Sequence, residues 1–314
     1  MTSARIIADS IRQSGDRLTS FVVTFPRYIL AEFNTHRMLS RNSASSRARP
    51  HHVMLKEVMK NPFIPIQWMK EHRGMQGSEY FSDDLTIAEL KAKWLSARDA
   101  AVNASQQFDR IDVGLTKQLS NRLLEPFLWQ TVIVSATEWE NFFALRAHEA
   151  ADIHIQDLAH QMLIEYNKSN PQMLKAGQWH IPFGDLIDLV RVNPIVENPE
   201  DPDLIEMALI KIASARCARI SYSPFGEESK YDYLKDFDLH DRLASMGHWS
   251  AFEHCARAMT DEEYDSCVRG SIEMKPNEKG WCGNFKGFIQ YRKLFENENR
   301  NDPRVRPKPL LHRQ

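Results

Sequence analysis

The segment 114–166 constrains the fold more than any other stretch. Its apolar residues do not keep to one stripe: Trp129, Val132, Ile133, Phe142, Phe143 and Leu145 fall on more than one face. A helix that is apolar all round must be enclosed by other elements. The segment therefore reads as a long, deeply buried helical stretch, broken at Pro126. Such burial demands a sizeable core, and 314 residues, 42% of them hydrophobic, can supply it. The length suits one large domain or two modest ones.

The elements around it follow from local signals. Residues 19–33 begin as a β-rich run, and Pro26 argues against a central, fully paired strand at that point. Tyr28 to Phe33 reads as a helix start, and the polar, basic stretch 34–52 as a loop between elements. Residues 60–85 look irregular, with Pro62, Pro65, Gly74 and Gly77. In 86–109, Ile87, Leu90, Trp94, Ala97 and Ala101 recur at helical spacing. Pro194, Pro199 and Pro202 among acids and Asn mark 192–203 as a linker. A helix should start directly after it, capped by Asp201, with Pro202 in its first position, and run to about Arg216. Another, near Tyr231 to Met246, should stop at Gly247. Residues 300–314 read as a loose tail.

Several function classes are excluded or disfavoured at this level. The net charge of −2 gives no global field to attract nucleic acid, so any anion site must be local. There is no run of about 18 apolar residues to span a membrane, and Met1 to Asp9 lacks a signal core. Cys217, Cys255, Cys267 and Cys282 form no C-x-x-C pair, which fits reduced thiols in a cytoplasmic protein. His51, His52, His148 and His154 lack the H-E-x-x-H spacing of a metal hydrolase.

The densest chemistry lies in Thr35 to Arg47. His36, Arg37, Ser40, Arg41, Asn42, Ser43, Ser45, Ser46 and Arg47 place three guanidiniums among hydroxyls and an amide. These are phosphate-binding groups, each charge-assisted bond contributing roughly 1.5–3 kcal/mol. With no glycine, the loop is neither a Walker A loop nor a Rossmann turn. On composition alone it reads equally well as a solvated loop or a nucleic-acid contact patch.

The order of the residues points further. Thr35-His36-Arg37, seven residues, then Ser45 resembles the signature of the flavin-dependent thymidylate synthases, the ThyX family, in all but its first position; Asn42 and Arg47 fit as well. Arg122 to Pro126 resembles the family's Arg-x-x-x-Pro, and Asn141 to Arg146 its Asn-Phe-Leu-x-Leu-Arg. Cys217 to Tyr222 resembles Ala-Ala-Arg-Val-Ser-Tyr, and Gly247 to His254 resembles Gly-His-x-Ser-Pro-Phe-Glu-His. The last two segments usually precede the serine loop but here follow it by about two hundred residues. The chain is thus similar to a circularly permuted, bacteriophage-type long form, with 19–165 matching the usual C-terminal part and 208–258 the usual N-terminal part of a single catalytic domain spanning 1–314.

The resemblance implies an α+β fold, a mixed sheet packed with long helices. It implies reductive methylation of dUMP to dTMP with 5,10-methylenetetrahydrofolate, FAD and NADPH, in a cytoplasmic homotetramer (possibly of a phage-infected host cell) whose active sites lie between subunits. Ser45, Ser46, Arg47 and Arg122 would bind the nucleotide, with Arg146 against the uracil carbonyl. His36, Arg37, Asn42, Asn141, Ser221, Ser250 and Glu253 would line the flavin, and His248 would handle protons or stack. Flanked by Phe143 and Leu145, Arg146 reads as a buried charge with a designated partner. Departures occur at Thr35, Ser43, Ala48, Glu32, Ser135, Thr137 and Ala150, and Gln290 and Arg292 are candidates to restore the missing amide and charge beside dUMP. The rival readings are a nucleotide hydroxymethylase, an enzyme for a modified or cytosine nucleotide, and a non-catalytic nucleic-acid-binding homologue.

Overall fold

The computed structural model describes residues 1–74, 77–109, 115–220, 232–268, 278–296 and 298. Its centre is a five-stranded mixed sheet. Strands β1 (Ser3–Arg12) and β2 (Arg17–Pro26) form a hairpin, followed by helix α1 (Leu30–Phe33) and edge strand β3 (Ser40–Ser43). Helices α2 (His51–Lys60), α3 (Asp84–Asp109) and α4 (Lys117–Arg122) intervene before strand β4 (Trp129–Ala136). Helices α5 (Glu140–Arg146) and α6 (Ile153–Lys168) lead to β5 (Gln172–Leu174). The order is β3-β4-β2-β1-β5, antiparallel throughout except for β1 with β5.

The rest of the chain covers the other face. It comprises β6 (Trp179–His180), α7 (Leu189–Val192), α8 (Pro202–Arg219), α9 (Tyr233–Met246), β7 (Ala256–Ala258), α10 (Asp261–Ser266), β8 (Trp281–Cys282), β9 (Phe285–Lys286) and β10 (Phe288–Gln290). β10, β7 and β6 form a three-stranded sheet, β8 and β9 a two-stranded one. The fold is α+β with a mixed sheet and long helices, as the resemblance implied.

Strand β4 shows why 114–166 is apolar on more than one face. Val132, Val134 and Ala136 point into a core with Phe21, Phe25, Trp139, Phe142, Leu158 and Met162. Ile133 points into the opposite core, with Phe183, Ile210, Cys217 and Phe252. A strand covered on both faces has no polar side, so its run of apolar residues cannot be told from a buried helix by periodicity. The expected long helix is therefore a short helix, a strand and two helices, and Leu145 is exposed. Each fully buried Phe or Val contributes roughly 1.5–3 kcal/mol relative to exposure.

Two further expectations change. β2 is the central strand, and Pro26 is tolerated because it is the last paired residue, opposite Trp129. The stretch 34–52 is not wholly loop: Ser40–Ser43 pairs with Val132–Ser135 as an edge strand, and His51 already opens α2. The linker 192–203 includes the end of α7 and a 3-10 turn, and Val192 packs in a small core with Ile187, Ala208, Ile212 and Tyr233. The expected helix starts hold. Asp201 accepts from the Asp203 N–H ahead of Pro202, and α8 runs on to Arg219. Gly247 ends α9 in the left-handed region at φ 70°. The expected tail 300–314 lies outside the described residues.

Candidate active site

The serine loop is pinned from within and cationic outside. Buried Ser46 donates to Glu125 at 2.6 Å, and Arg27 holds the same carboxylate oxygen at 2.9 Å. The Asn121 amide donates to the Ser46 carbonyl at 2.7 Å and to that of Arg49 at 3.1 Å, while its oxygen meets His51 Nδ1 at 2.8 Å. These bonds shape the backbone and leave side chains outward. Arg47 is exposed, its Nε donating to Gln118 at 3.1 Å, and Arg122 is exposed in the last turn of α4. Half-buried Ser45 accepts from the Arg47 N–H at 3.3 Å. A cleft of about 220 Å³ beside the loop is lined by Ala44, Arg49, Glu57 and Trp129.

Arg146, at the end of α5, is half-buried. Its Nε donates to His36 Nε2 at 2.9 Å and its Nη2 to Thr35 Oγ1 at 3.2 Å. The designated partners are thus a neutral imidazole and a hydroxyl, and the guanidinium is half-buried rather than buried as expected. A nitrogen that accepts carries no proton, so His36 is neutral with its proton on Nδ1. Burial, then the charges of Arg146 and Arg41, lower the His36 pKa to about 4. His36 is buried edge-on against Phe142, so its ring faces the protein interior. Nearby, burial and Asp152 raise the Glu32 carboxyl despite Arg146 and His154, and Glu32 Oε2 is buried without a partner.

The segments two hundred residues apart in sequence meet at β3. Asn42 Nδ2 donates to the Cys217 carbonyl in α8 at 2.6 Å. Ser40 Oγ accepts from Gln290 Nε2 at 3.1 Å, and β3 packs on the 3-10 turn Trp249–Glu253. Arg41 donates to the carbonyls of Phe33 and His36, both at 3.0 Å. Glu253 is ion-paired with Arg292, whose Nε also donates to Glu298 at 2.8 Å. Gln290 is 2% exposed and Gly283, at φ 62°, lies over it; a Cβ there would sit 2.1 Å from Gln290 Oε1. Only glycine fits both the backbone and the space.

His248 and Ser250, next to the Gly247 turn, are exposed; Arg37 and Asn141, elsewhere in the chain, are exposed too. Arg219 Nη2 meets buried Asp236 at 2.8 Å, fixing the end of α8 just before Ser221, which lies outside the described residues. The structure therefore gathers Asn42, Glu253, Gln290 and Arg292 at one edge of the sheet. It places Arg146 with His36, and sets Ser46 among internal bonds. Arg37, Arg47, Arg122, Asn141, His248 and Ser250 are exposed at the surface.

A polar chain crosses the core. His254 Nδ1 meets Ser135 at 2.9 Å, Ser135 meets Ser20 at 2.5 Å, Ser20 meets His180 Nε2 at 2.8 Å, and His180 Nδ1 meets Ser10 at 2.9 Å. Both imidazoles are fully buried, which pushes their pKa values down to about 3. His254 Nε2 has no partner among the described residues. An orphan lone pair costs less than an orphan N–H, so the proton sits on Nδ1 and donates toward Ser135. Ser135 is consumed in this chain, and Thr137 accepts from the Lys286 N–H at 3.0 Å.

Sequence reasoning missed Glu125, Asn121, Thr35 as a partner of Arg146, and Glu298. Glu125 sits inside the quoted Arg-x-x-x-Pro motif, so position offered a signal; Glu298 offered none. Among the described residues no group of three or more His, Cys, Asp or Glu is placed to hold a metal ion, and no helix is long and apolar enough to cross a membrane.

No family model matches the chain. No curated protein matches it in sequence either. Among solved structures it is similar to a UMP/dUMP methylase, PolB, from Streptomyces cacaoi. The complex of that protein with 5-Br UMP is 16% identical, with a TM-score of 0.44, covering 55% of this chain and 90% of the other. The complex with 5-Br dUMP is 14% identical, with a TM-score of 0.45, covering 55% and 91%. A likeness this distant assigns no role to any residue here.

Proposed function

We propose that this chain is a flavin-dependent thymidylate synthase that methylates dUMP at C5. The observation that carries the reading is the convergence at β3. Three motif segments, separated by up to about two hundred residues, are joined by the Asn42–Cys217 bond and by the packing of β3 on Trp249–Glu253. A fold kept for other reasons has no need to bring these side chains together.

The donor set suits a nucleotide and a flavin. Ser45, Arg47 and Arg122 would hold the dUMP phosphate, with Ser46 shaping the loop through Glu125. Arg37, Ser250 and Asn141 are outward-facing and would meet the anionic, hydroxyl-rich FAD, while Ser135 and Thr137 contribute nothing to it. When bound, reduced FAD supplies the hydride, methylenetetrahydrofolate the carbon, and NADPH the electrons that reduce the flavin. Arg146, fixed by His36 and Thr35, presents its charge to the uracil carbonyl, where negative charge builds as C5 becomes nucleophilic. Exposed His248 would handle a proton or stack on the bound groups. The exposure of Arg37, Asn141, His248 and Ser250 supports completion of the site by other copies in a homotetramer.

The test is an absorption spectrum of the purified, desalted protein, recorded before and after FAD and then dUMP. A flavin band that shifts with dUMP is expected, and product mass then separates methyl from hydroxymethyl. A protein that takes up no FAD sinks the flavoenzyme reading and turns attention to salt-dependent nucleic-acid binding.

A further inference from the structure

The segment 285–296 and Glu298 have no counterpart in the motifs above, yet Gln290 and Arg292 reach Ser40 and Glu253, two residues of matched segments. Glu298 is the anchor. Its side chain is 3% exposed and accepts from Lys293 Nζ at 2.9 and 3.0 Å and from Arg292 Nε at 2.8 Å. Burial pushes its carboxyl up, but the bonds and charges of Lys293 and Arg292 outweigh this and hold it below its ordinary value.

With two of its nitrogens on Glu298, the Arg292 guanidinium has one orientation, and that orientation delivers Nη1 to Glu253 Oε1. Gln290, buried and bonded to Ser40, donates to the backbone carbonyl of the same Glu253 at 3.4 Å. Main chain and side chain of Glu253 are thus gripped from one segment. Among the described residues Glu253 Oε2 has no hydrogen-bond partner, and the side chain is 18% exposed. Arg41, Arg292 and Lys293 against Glu253 and Glu298 leave an excess of one positive charge, so a nearby anion is not repelled.

We infer that Arg292, Glu298 and Gln290 are positioning residues: they fix Glu253 so that its second carboxylate oxygen accepts a hydroxyl or N–H of the bound flavin. This rests on the flavin reading above and replaces the dUMP contact that the sequence suggested for Gln290 and Arg292. Both side chains are turned toward the protein's own groups.

The experiment is a double-mutant cycle on FAD affinity, by titration of the purified full chain, with Glu298→Gln, Glu253→Gln and the pair. Glu298 touches Arg292 and Lys293 but not Glu253, so a loss of affinity on its change must travel through the guanidinium. Glu298→Gln is expected to weaken FAD about tenfold, with a lowered melting temperature because Arg292 and Lys293 lose their covered partner, and to cost no further FAD affinity once Glu253 is Gln. Arg292→Lys should weaken FAD as well, because an ammonium cannot serve both carboxylates with a planar fork. Wild-type affinity in Glu298→Gln, or losses that simply add, would overturn the inference while leaving the flavin reading intact. A wild-type chain that binds no FAD overturns both.

Discussion

Arg146 and Arg292 are held in opposite ways. Arg292 lies between two carboxylates and its charge is cancelled on the spot. Arg146 is oriented by a neutral imidazole and a hydroxyl, neither of which offsets its charge, and Glu32, whose carboxyl feels that charge, forms no hydrogen bond with it among the described residues. The same side chain is thus a buttress in one place and an available cation in the other. Uncharged acceptors fix a guanidinium while leaving its field free to act on a ligand, whereas carboxylates fix it and consume that field.

The largest expected effect follows from the available cation. Arg146→Ala should lower turnover of dUMP by about 10²–10³ with little change in melting temperature. Turnover within a few-fold of wild type would erase the contrast. Arg292→Ala should act on stability as well as on FAD, since it strands the largely covered Glu253 carboxylate and leaves Glu298 with Lys293 alone. The loss, read from urea unfolding, should be about 2–3 kcal/mol, below the value for a fully buried pair because Arg292 and Glu253 retain some solvent.

Acid should separate the two arginines next. His36 has a folded pKa of about 4 against an ordinary 6.5, so between these values the unfolded chain binds more protons. Its contribution is complete above about pH 6.5 and is lost as pH falls toward 4. His180 and His254, lowered to about 3, slope the same way, so the informative quantity is a difference. His36→Gln keeps an acceptor for Arg146 without a titration, and its urea midpoint should fall less steeply from pH 6.5 to 4 than wild type. Parallel curves would falsify the role of the neutral imidazole. The smallest effect is Thr35→Ala, which removes one bond from Arg146 and should reduce kcat a few-fold, roughly 0.5–1.5 kcal/mol, without altering the pH profile.

What the sequence made legible depended on whether a signal was local. The α8 start reads directly from Asp201-Pro202, and the α9 stop from Gly247, because caps and left-handed turns are set by one or two residues. β4 was hidden because enclosure on both faces removes the alternation that marks a strand. β3 was hidden for the reverse reason: Ser40-Arg41-Asn42-Ser43 is polar, an edge strand whose side chains serve bonds to Gln290, the loop carbonyls and Cys217 rather than a core. In the site, the motif spacing pointed to Asn42, Arg146 and Glu253, but not to what holds them. His36 bonds to Arg146 and Ser46 to Glu125, contacts that the motif spacing did not signal, and Glu298 lies in a charged stretch with no pattern of its own.

The bond between Ser40 and Gln290 spans 250 positions of the chain. At a synthesis rate of roughly 5–20 residues per second, Ser40 would leave the ribosome on the order of 12–50 s before its partner exists. Once β4 is made, β3 is the outer edge of a sheet under construction, with its later cover still unmade. An apolar edge left open so long would invite pairing with neighbouring nascent chains. A short strand that carries Arg41 and three small polar residues resists such pairing, so the composition that serves the finished site also guards the unfinished one.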